Sequence, residues 1–435
     1  MGTVNRLVLE RSIVVKKLSI SLLAAILVIG VVALPVAAQV TIRVGRFANP
    51  WYDPVLESLF KDYEKANPDT KIQFETVPGE EYKIKLEAEL AQGDGPDIFV
   101  LAGQWVPTFA RDGRIAPMPE TITRDLKDNF VQGAVDYAYW QGKYYGAPHE
   151  GGPRLYVYNQ DIFDEVGLAG SPADWNELIE YGKKMTKFDS SGQMQRAGLG
   201  VNWGADGVCA WHAFLKSTGG TFFDEDQKQV KFQGPEGVRA LQEWVDWIHV
   251  HHIADPLFLD FWDGFPIGMH GMIITGPWVT GYLQQTAPTM NYGTFVVPPM
   301  EAGGEQFADD APWQWHVNSD TKIAKEAWDL IEFLMSHDVI YRLSAESGMA
   351  PFRKSVIESD AWRGRGPAFE GFANATYNIA MRPRVWWFEV ERILGDYIEK
   401  ALTKEATPEE ALATAADSIQ ETIEAEIKVR GGWWY

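Results

Sequence analysis

The alternation of strand-like and helix-like segments in residues 40–101 limits the fold more than any other feature of the chain. In the strand-like segments apolar and polar residues alternate or form a short apolar run, whereas apolar residues recur every three or four positions in the helix-like ones. The order βαβαβ predicts an open α/β sheet covered by helices, with ligands bound beyond the strand ends. The predicted segments are strands at 40–44, 71–77 and 97–101 and helices at 53–66 and 82–91.

A second region of the same kind begins after the glycine-rich break at 146–152. Residues 155–158 are predicted to form a strand and 172–185 a helix. At roughly 150 residues per domain, the 435 residues favour two lobes. Further helices are predicted at 237–249, 322–336, 385–402 and 408–428.

The first 38 residues have the pattern of a secretory signal peptide. Basic residues precede an uncharged stretch at 18–34, and Pro35-Val36-Ala37-Ala38 then supplies small residues for cleavage. The alternative is an uncleaved membrane anchor, since 17 apolar residues is near the lower limit for a spanning helix. No cysteine adjoins this segment, so we expect an exported protein, in the periplasm or at the outer face of the cytoplasmic membrane, that is not a lipoprotein.

The charge balance argues against nucleic acid as a partner. The chain has 39 basic and 60 acidic residues, and its net charge of -21 repels phosphate backbones and anionic membranes. Cys209 is the only cysteine, so neither an intrachain disulfide nor a thiolate zinc site can form. No cofactor motif was found.

The histidines at 249, 251 and 252, with Asp246 and Asp255, could be drawn as a metal site. Adjacent residues at a helix end point in different directions, however, so these ligands converge poorly. We therefore expect no metal.

Seven short segments, in their order along the chain, resemble the extracellular solute-binding proteins of carbohydrate ABC importers. The resemblance spans residues 40 to about 427 and depends on the shared order and spacing, because each motif alone is weak. The segments are Gly95–Ile98, Tyr145–Pro148, Tyr158–Phe163, Ala173–Leu178, Lys216–Gly220, Gly271–Trp278 and Gly348–Ser355.

The resemblance implies two discontinuous lobes that close over a sugar and hand it to a membrane permease. It places 39–148 plus 312–348 in lobe 1 and 153–311 plus 349–435 in lobe 2, with a monomeric chain. The hinge is expected near 148–152, 309–313 and 348–353.

The aromatic content is consistent with a sugar ligand. The chain has 18 Trp, 16 Tyr and 22 Phe, and many of the Trp residues lie in predicted loops. A pyranose presents apolar C–H faces that stack on indole, while its hydroxyls need amide and carboxylate partners. The alternative for each Trp is that it fills the core.

The positions of the family motifs give candidate ligand-binding residues. Trp278, within Gly-Pro-Trp, matches a stacking residue of the family. Gln104 and Trp105 stand where a relative has charged residues, so the resemblance leaves the identity of the sugar open. Asp310 and Trp313 lie where relatives often have Gly-Gly-Trp, but the glycines are missing here. The remaining candidates are Asn49, Trp51, Glu150, Trp203, Trp211, Trp386 and Trp387.

Two other functions compete with sugar transport. Aromatic boxes with carboxylates also bind ammonium groups, which would suit a polyamine or another cationic solute. A secreted glycosidase would need a pair of carboxylates as acid and base, and no such pair stands out. Asp97 could serve chemistry, but capping of the preceding turn is the favoured interpretation. We therefore expect a non-catalytic carrier of a neutral mono- to oligosaccharide.

Overall fold

The computed structural model describes residues 39–429 and Gly432. The predicted signal peptide at 1–38 and the terminal Trp433, Trp434 and Tyr435 lie outside the described residues. Within the described part, no helix is both long and apolar enough to cross a membrane.

Strands and helices alternate along the chain as an α/β fold requires. The strands are β1 (Val40–Phe47), β2 (Thr70–Val77), β3 (Ile98–Ala102), β4 (Tyr139–Trp140), β5 (Lys143–Tyr144), β6 (Ala147–Glu150), β7 (Leu155–Asn159), β8 (Lys187–Phe188), β9 (Met194–Leu199), β10 (His270–Thr275), β11 (Tyr292–Phe295), β12 (Ala308–Asp310), β13 (Trp313–Val317) and β14 (Ile379–Met381). The helices are Asp53–Ala66, Gly79–Gln92, Val106–Arg111, Glu120–Asn129, Gln132–Ala138, Gln160–Val166, Trp175–Met185, Gly204–Ser217, Pro235–His249, Phe261–Gly264, Trp278–Thr286, Ala324–Leu334, His337–Ser347, Lys354–Ile357, Asp360–Arg363, Pro367–Ala375, Trp387–Leu402 and Pro408–Val429.

The first lobe is built on a five-stranded sheet in the order β2-β1-β3-β13-β6. β1 pairs in parallel with β2 and β3, which confirms the βαβαβ unit predicted from the periodicity. All five residues of β3 are buried, as a strand covered on both faces should be. β13 enters from much later in the chain and pairs antiparallel with both β3 and β6.

The second lobe contains the sheet β11-β7-β10-β9-β8. β9 and β10 run in parallel, whereas β7 is antiparallel to β10 and β11. The predicted helix at 172–185 begins at Trp175, because the Asp174 side chain accepts a hydrogen bond from the Glu177 amide at 2.9 Å and caps it.

Several backbone segments cross between the lobes side by side. Gly151 forms an antiparallel bridge with Ala350, and Arg154 forms one with Asp309. β12 and β14 also pair, in parallel, near these crossings. The segments predicted as a hinge therefore lie in contact with one another.

The last hundred residues are divided between the two cores. Helices Trp387–Leu402 and Pro408–Val429 contribute buried residues to the core of the second lobe. The sequence interpretation assigned all of 349–435 to that lobe, but Phe352, Trp362 and Phe369 pack in the core of the first. Helix Pro367–Ala375 contacts both lobes, since Phe369 and Ala373 pack in the first core and Phe372 packs with Leu155 and Val157 of β7.

Candidate functional site

A cavity of about 380 Å³ lies between the two lobes, at the ends of β1, β3 and β6. Its position beyond the strand ends agrees with the expectation for an open α/β sheet. Eight of the twelve predicted site residues line it. Its walls are Phe47, Ala48, Asn49, Pro50, Trp51, Ala102, Gln104, Trp105, Glu150, Gly152, Arg154, Trp278, Asp310, Ala311, Trp313, Met349, Arg382 and Glu391.

Three aromatic rings form the wall contributed by the first lobe. Trp313 lies opposite Ala102 in the antiparallel pair of β13 and β3, so it comes next to Trp105, which follows β3 in a short 3-10 turn. The Trp313 ring centroid is 5.5 Å from that of Trp105 and 4.3 Å from that of Phe47. Trp105 meets Trp313 edge to face and Phe47 is tilted against it, so the three rings form one aromatic cluster in the wall.

Trp278 contributes an indole from the second lobe. Its ring lies against two glycines, because a Cβ atom at Gly276 would approach it to 2.2 Å and one at Gly152 to 2.9 Å. The Arg154 guanidinium carbon lies 5.2 Å from the ring centroid. Gly276 of the Gly-Pro-Trp motif and Gly152 near the hinge therefore leave the space that this indole occupies.

The loop after β1 is shaped by Asn49. Its side-chain oxygen accepts hydrogen bonds from the backbone amides of Trp51 and Tyr52, both at 3.1 Å, and the backbone N–H of Asn49 donates to Asp53 Oδ2 at 2.7 Å. This turn brings the Trp51 indole to the cavity. Asn49 thus acts chiefly on the loop conformation.

Several polar atoms of the cavity wall are buried without a protein partner. They are the indole nitrogens of Trp51 and Trp105 and the side-chain oxygen of Gln104. Buried polar groups are normally hydrogen-bonded, so these three atoms are exceptions among the residues of the cavity wall.

Glu150 belongs to a buried charge network in the first lobe. The Arg46 guanidinium has no exposed surface and lies 3.0 Å from a Glu150 oxygen and 3.1 Å from one of Asp53. Burial raises the pKa of Glu150 to about 6, although Arg46 opposes that rise. Since the carboxylate reaches the cavity, it can accept hydrogen bonds from hydroxyl groups there.

Asp310 places a second carboxylate on the cavity. Its oxygens accept hydrogen bonds from the Gly152 amide at 3.1 and 3.2 Å and from the Ala311 amide at 2.7 Å. Burial raises its pKa to about 7; Arg382 lowers it and the neighbouring Asp309 raises it further. The contact with Gly152 joins two of the crossing segments.

Arg154, Arg382 and Glu391 line the cavity, and the sequence interpretation missed all three. Arg154 and Arg382 are held by Asp309, which is completely buried. Burial also raises the pKa of Glu391, against the opposing charge of Arg382. These residues come from segments far apart in the sequence that are adjacent only in the folded protein, so no local motif could have predicted them.

Four predicted site residues lie elsewhere. Trp211 has no exposed surface and Trp387 almost none, because both pack in the core of the second lobe, and half-buried Trp203 packs against that core. Trp386 is buried and its indole donates to the Gln227 carbonyl at 3.1 Å. Trp386 and Trp387 do line a neighbouring cleft of about 160 Å³, which meets the cavity at Gln104 and Trp105.

The histidines and Asp97 have structural contacts. His249 is hydrogen-bonded to the Leu402 carbonyl at 2.8 Å, and among the described residues no group of three potential ligands could hold a metal. Asp97 accepts hydrogen bonds from the Arg43 amide and the Thr321 hydroxyl, so it ties β1 to the segment after β13 rather than capping the preceding turn.

The sequence profile of the bacterial extracellular solute-binding proteins matches residues 50–340. The maltotriose-binding protein of Pyrococcus abyssi is 25% identical over 342 residues, which are 76% of this chain and 70% of that one. The arabinooligosaccharide-binding protein of Halalkalibacterium halodurans is 23% identical over 400 residues, 85% of this chain and 87% of that one.

The same architecture is found in a solved structure. The sugar-binding protein MalE from Xanthomonas citri superposes with a TM-score of 0.78 at 19% identity, over 90% of this chain and 99% of that one. This likeness shows that the fold is the two-lobed one predicted from the sequence.

Proposed function

The chain belongs to the bacterial extracellular solute-binding proteins, and from this premise we propose that it is the substrate-binding component of an ABC importer. It captures a mono- to oligosaccharide between its lobes and delivers it to a membrane permease. It acts as a carrier, and the family's solute-binding role supports the absence of catalysis.

The observation that carries the proposal is the aromatic lining of the cavity on both lobes. Phe47, Trp105 and Trp313 offer flat apolar surfaces from one lobe and Trp278 from the other. The carboxylates of Glu150 and Asp310 line the same cavity. This combination suits a pyranose, whose ring has apolar faces and a rim of hydroxyls.

The relatives support a sugar over a polyamine. Two of them are named for binding maltotriose and arabinooligosaccharides. The cavity could in principle hold an ammonium group, so binding that collapses with added salt would favour the cationic solute instead.

The twelve residues predicted from the sequence remain our candidates for ligand contacts. Of these, we propose that the eight that line the cavity contact the sugar directly. A sugar that touches Trp313 and Trp278 together contacts both lobes. Such a ligand binds the closed form better and shifts the population toward it, with bending near 148–152, 309–313 and 348–353. Solution scattering should show a smaller radius of gyration with sugar than without, and identical profiles would contradict closure.

Export of the chain is part of the proposal. Residues 1–38 act as a secretory signal, and the family's extracellular location supports this. Without a cysteine beside that segment the protein is not a lipoprotein, and it works as a monomer at the outer face of the membrane or in the periplasm.

A thermal-shift screen of the chain from residue 39 tests the function. Mono-, di- and trisaccharides are compared with polyamines at a hundredfold excess over the dissociation constant, where binding stabilises the fold by about 2.7 kcal/mol. A shift with one sugar class is expected. No shift with any sugar in the panel would overturn the proposal.

A further inference from the structure

The cleft of about 160 Å³ beside the sugar cavity has walls from both lobes. It meets the cavity at Gln104 and Trp105, and its first-lobe wall continues from there to Lys83. Its second-lobe wall includes Phe388. A contact between these two walls depends on the distance between the lobes, so it forms only when the cleft is narrow.

Lys83 is held in place by contacts within the first lobe. Its helix, Gly79–Gln92, packs against β3 through Leu86. Side chains four positions apart share one face of a helix, and the Lys83 Nζ atom lies 3.1 Å from a carboxylate oxygen of Glu87. The same Nζ atom lies 5.6 Å from the ring centroid of Trp105. The ammonium group is therefore positioned on the first-lobe wall of the cleft.

Phe388 places an exposed aromatic ring on the opposite wall. It follows Trp387 in helix Trp387–Leu402, and Trp387 is anchored in the core of the second lobe with 1% of its surface exposed. Successive residues of a helix point about 100° apart, so burial of Trp387 turns Phe388 away from that core. Phe388 is 46% exposed. Packing within the second lobe therefore does not account for this ring.

Lys83 and Phe388 meet across the cleft. The Lys83 Nζ atom lies 5.1 Å from the centroid of the Phe388 ring, within the range of about 6 Å over which a cation is attracted to an aromatic face. The next residue, Glu389, adds a carboxylate on the same side. Burial raises the pKa of Glu389, and the charge of Lys83 opposes that rise. Lys83 therefore attracts two neighbouring side chains of the second lobe.

We propose that Lys83 and Phe388 form a clasp across the cleft, which stabilises the closed form and slows the release of bound sugar. Separation of the lobes breaks this contact, whereas the contacts of Lys83 with Glu87 and Trp105 lie within one lobe and persist. Because the contact forms only after the lobes have closed, it acts on the dissociation rate more than on the association rate. The inference rests on the proposed function and adds to it a residue pair that sets the lifetime of the complex.

Sugar dissociation from the chain beginning at residue 39, measured by stopped-flow tryptophan fluorescence, tests this inference. The sugar is maltotriose or, if maltotriose gives no thermal shift, the sugar with the largest shift in the panel. Lys83→Met and Phe388→Leu should each raise the dissociation rate about two- to fivefold, the range expected for an exposed cation–π contact. Lys83→Arg keeps the cation and should dissociate at the wild-type rate.

The double variant Lys83→Met/Phe388→Leu separates a clasp from two independent contacts with the sugar. If the two side chains act through their mutual contact, either substitution removes it, and the double variant should dissociate no faster than the faster single variant. Two independent contacts with the sugar would instead multiply the two increases. A multiplied increase in the double variant would overturn the inference.

The matched control is Lys85→Met. Lys85 lies on the same helix, and its Nζ atom is 3.1 Å from a Glu89 oxygen, but it does not line the cleft. This variant removes the same charge and should dissociate at the wild-type rate. Wild-type rates in both Lys83→Met and Phe388→Leu would also overturn the inference. Absence of binding by every sugar would instead overturn the proposed function, and with it the role of the clasp in sugar release.

Discussion

Replacement of the buried carboxylate in Asp310→Asn should change how the stability of the protein depends on pH. Asp310 is 2% exposed and lies beside Asp309, and burial raises its pKa from 3.8 to about 7. A carboxyl group whose pKa is raised on folding contributes stability at low pH, and this contribution is lost as the pH rises through the folded-state value.

The size of the effect follows from the shift. About three pKa units at 1.36 kcal/mol each give about 4 kcal/mol, lost between pH 3.8 and 7. The asparagine variant does not titrate, so relative to the wild type its free energy of unfolding should rise by about 4 kcal/mol between pH 4 and pH 8. The substitution also lowers the free energy of unfolding by an amount that does not depend on pH. The reason is that an amide offers the Gly152 and Ala311 N–H groups one acceptor oxygen in place of two.

Urea unfolding of both proteins at several pH values measures this difference. A loss of stability that does not depend on pH displaces the plot of unfolding free energy against pH without changing its slope. A difference in slope between the two proteins therefore reports the titration of Asp310. A difference between wild type and variant that is constant from pH 4 to pH 8 would refute the assignment of a raised pKa to this carboxyl.

Three further predictions concern ligand binding and the core. Trp278→Ala should weaken sugar binding by about 0.5–1.5 kcal/mol, or roughly 2- to 10-fold in Kd, as measured by calorimetry; unchanged affinity would exclude stacking on this ring. Gly152→Ala should weaken sugar binding about tenfold, because the added Cβ would lie 2.9 Å from the Trp278 ring and displace it. Gly79→Ala, whose Cβ would meet nothing within 4 Å, should leave the affinity unchanged, and equal losses in the two glycine variants would contradict the argument. Trp211→Ala should cost about 3–5 kcal/mol of stability in urea unfolding, since the indole has no exposed surface; a loss below 1 kcal/mol would contradict its place in the core.

The parts of the fold that could be predicted from the sequence are those in which periodicity and order along the chain decide the structure. β1, β2 and β3 pair as the βαβαβ pattern requires. Residues that directly follow these strands, such as Asn49 and Gln104, reach the cavity because parallel strands end at one edge of the sheet.

The parts that could not be predicted depend on distant segments. Trp211 was a candidate because it precedes a glycine pair, but its helix is buried on nearly all sides and the indole fills the core. Arg154 and Arg382 both form ion pairs with Asp309, and these three residues come from segments that are far apart in the sequence and adjacent only in the folded protein. Residue type and local spacing do not predict contacts between segments so far apart in the chain.

The insertion of β13 between β3 and β6 has a consequence for how the protein is made. Trp313 pairs with Ala102, 211 positions earlier in the chain, and with Glu150 on its other side. While the chain is being synthesised, β3 and β6 expose unpaired edges until residue 317 is available, and exposed edges invite aggregation. Pairing over such a separation is also slow to form, so we expect the sheet of the first lobe to be completed late in folding.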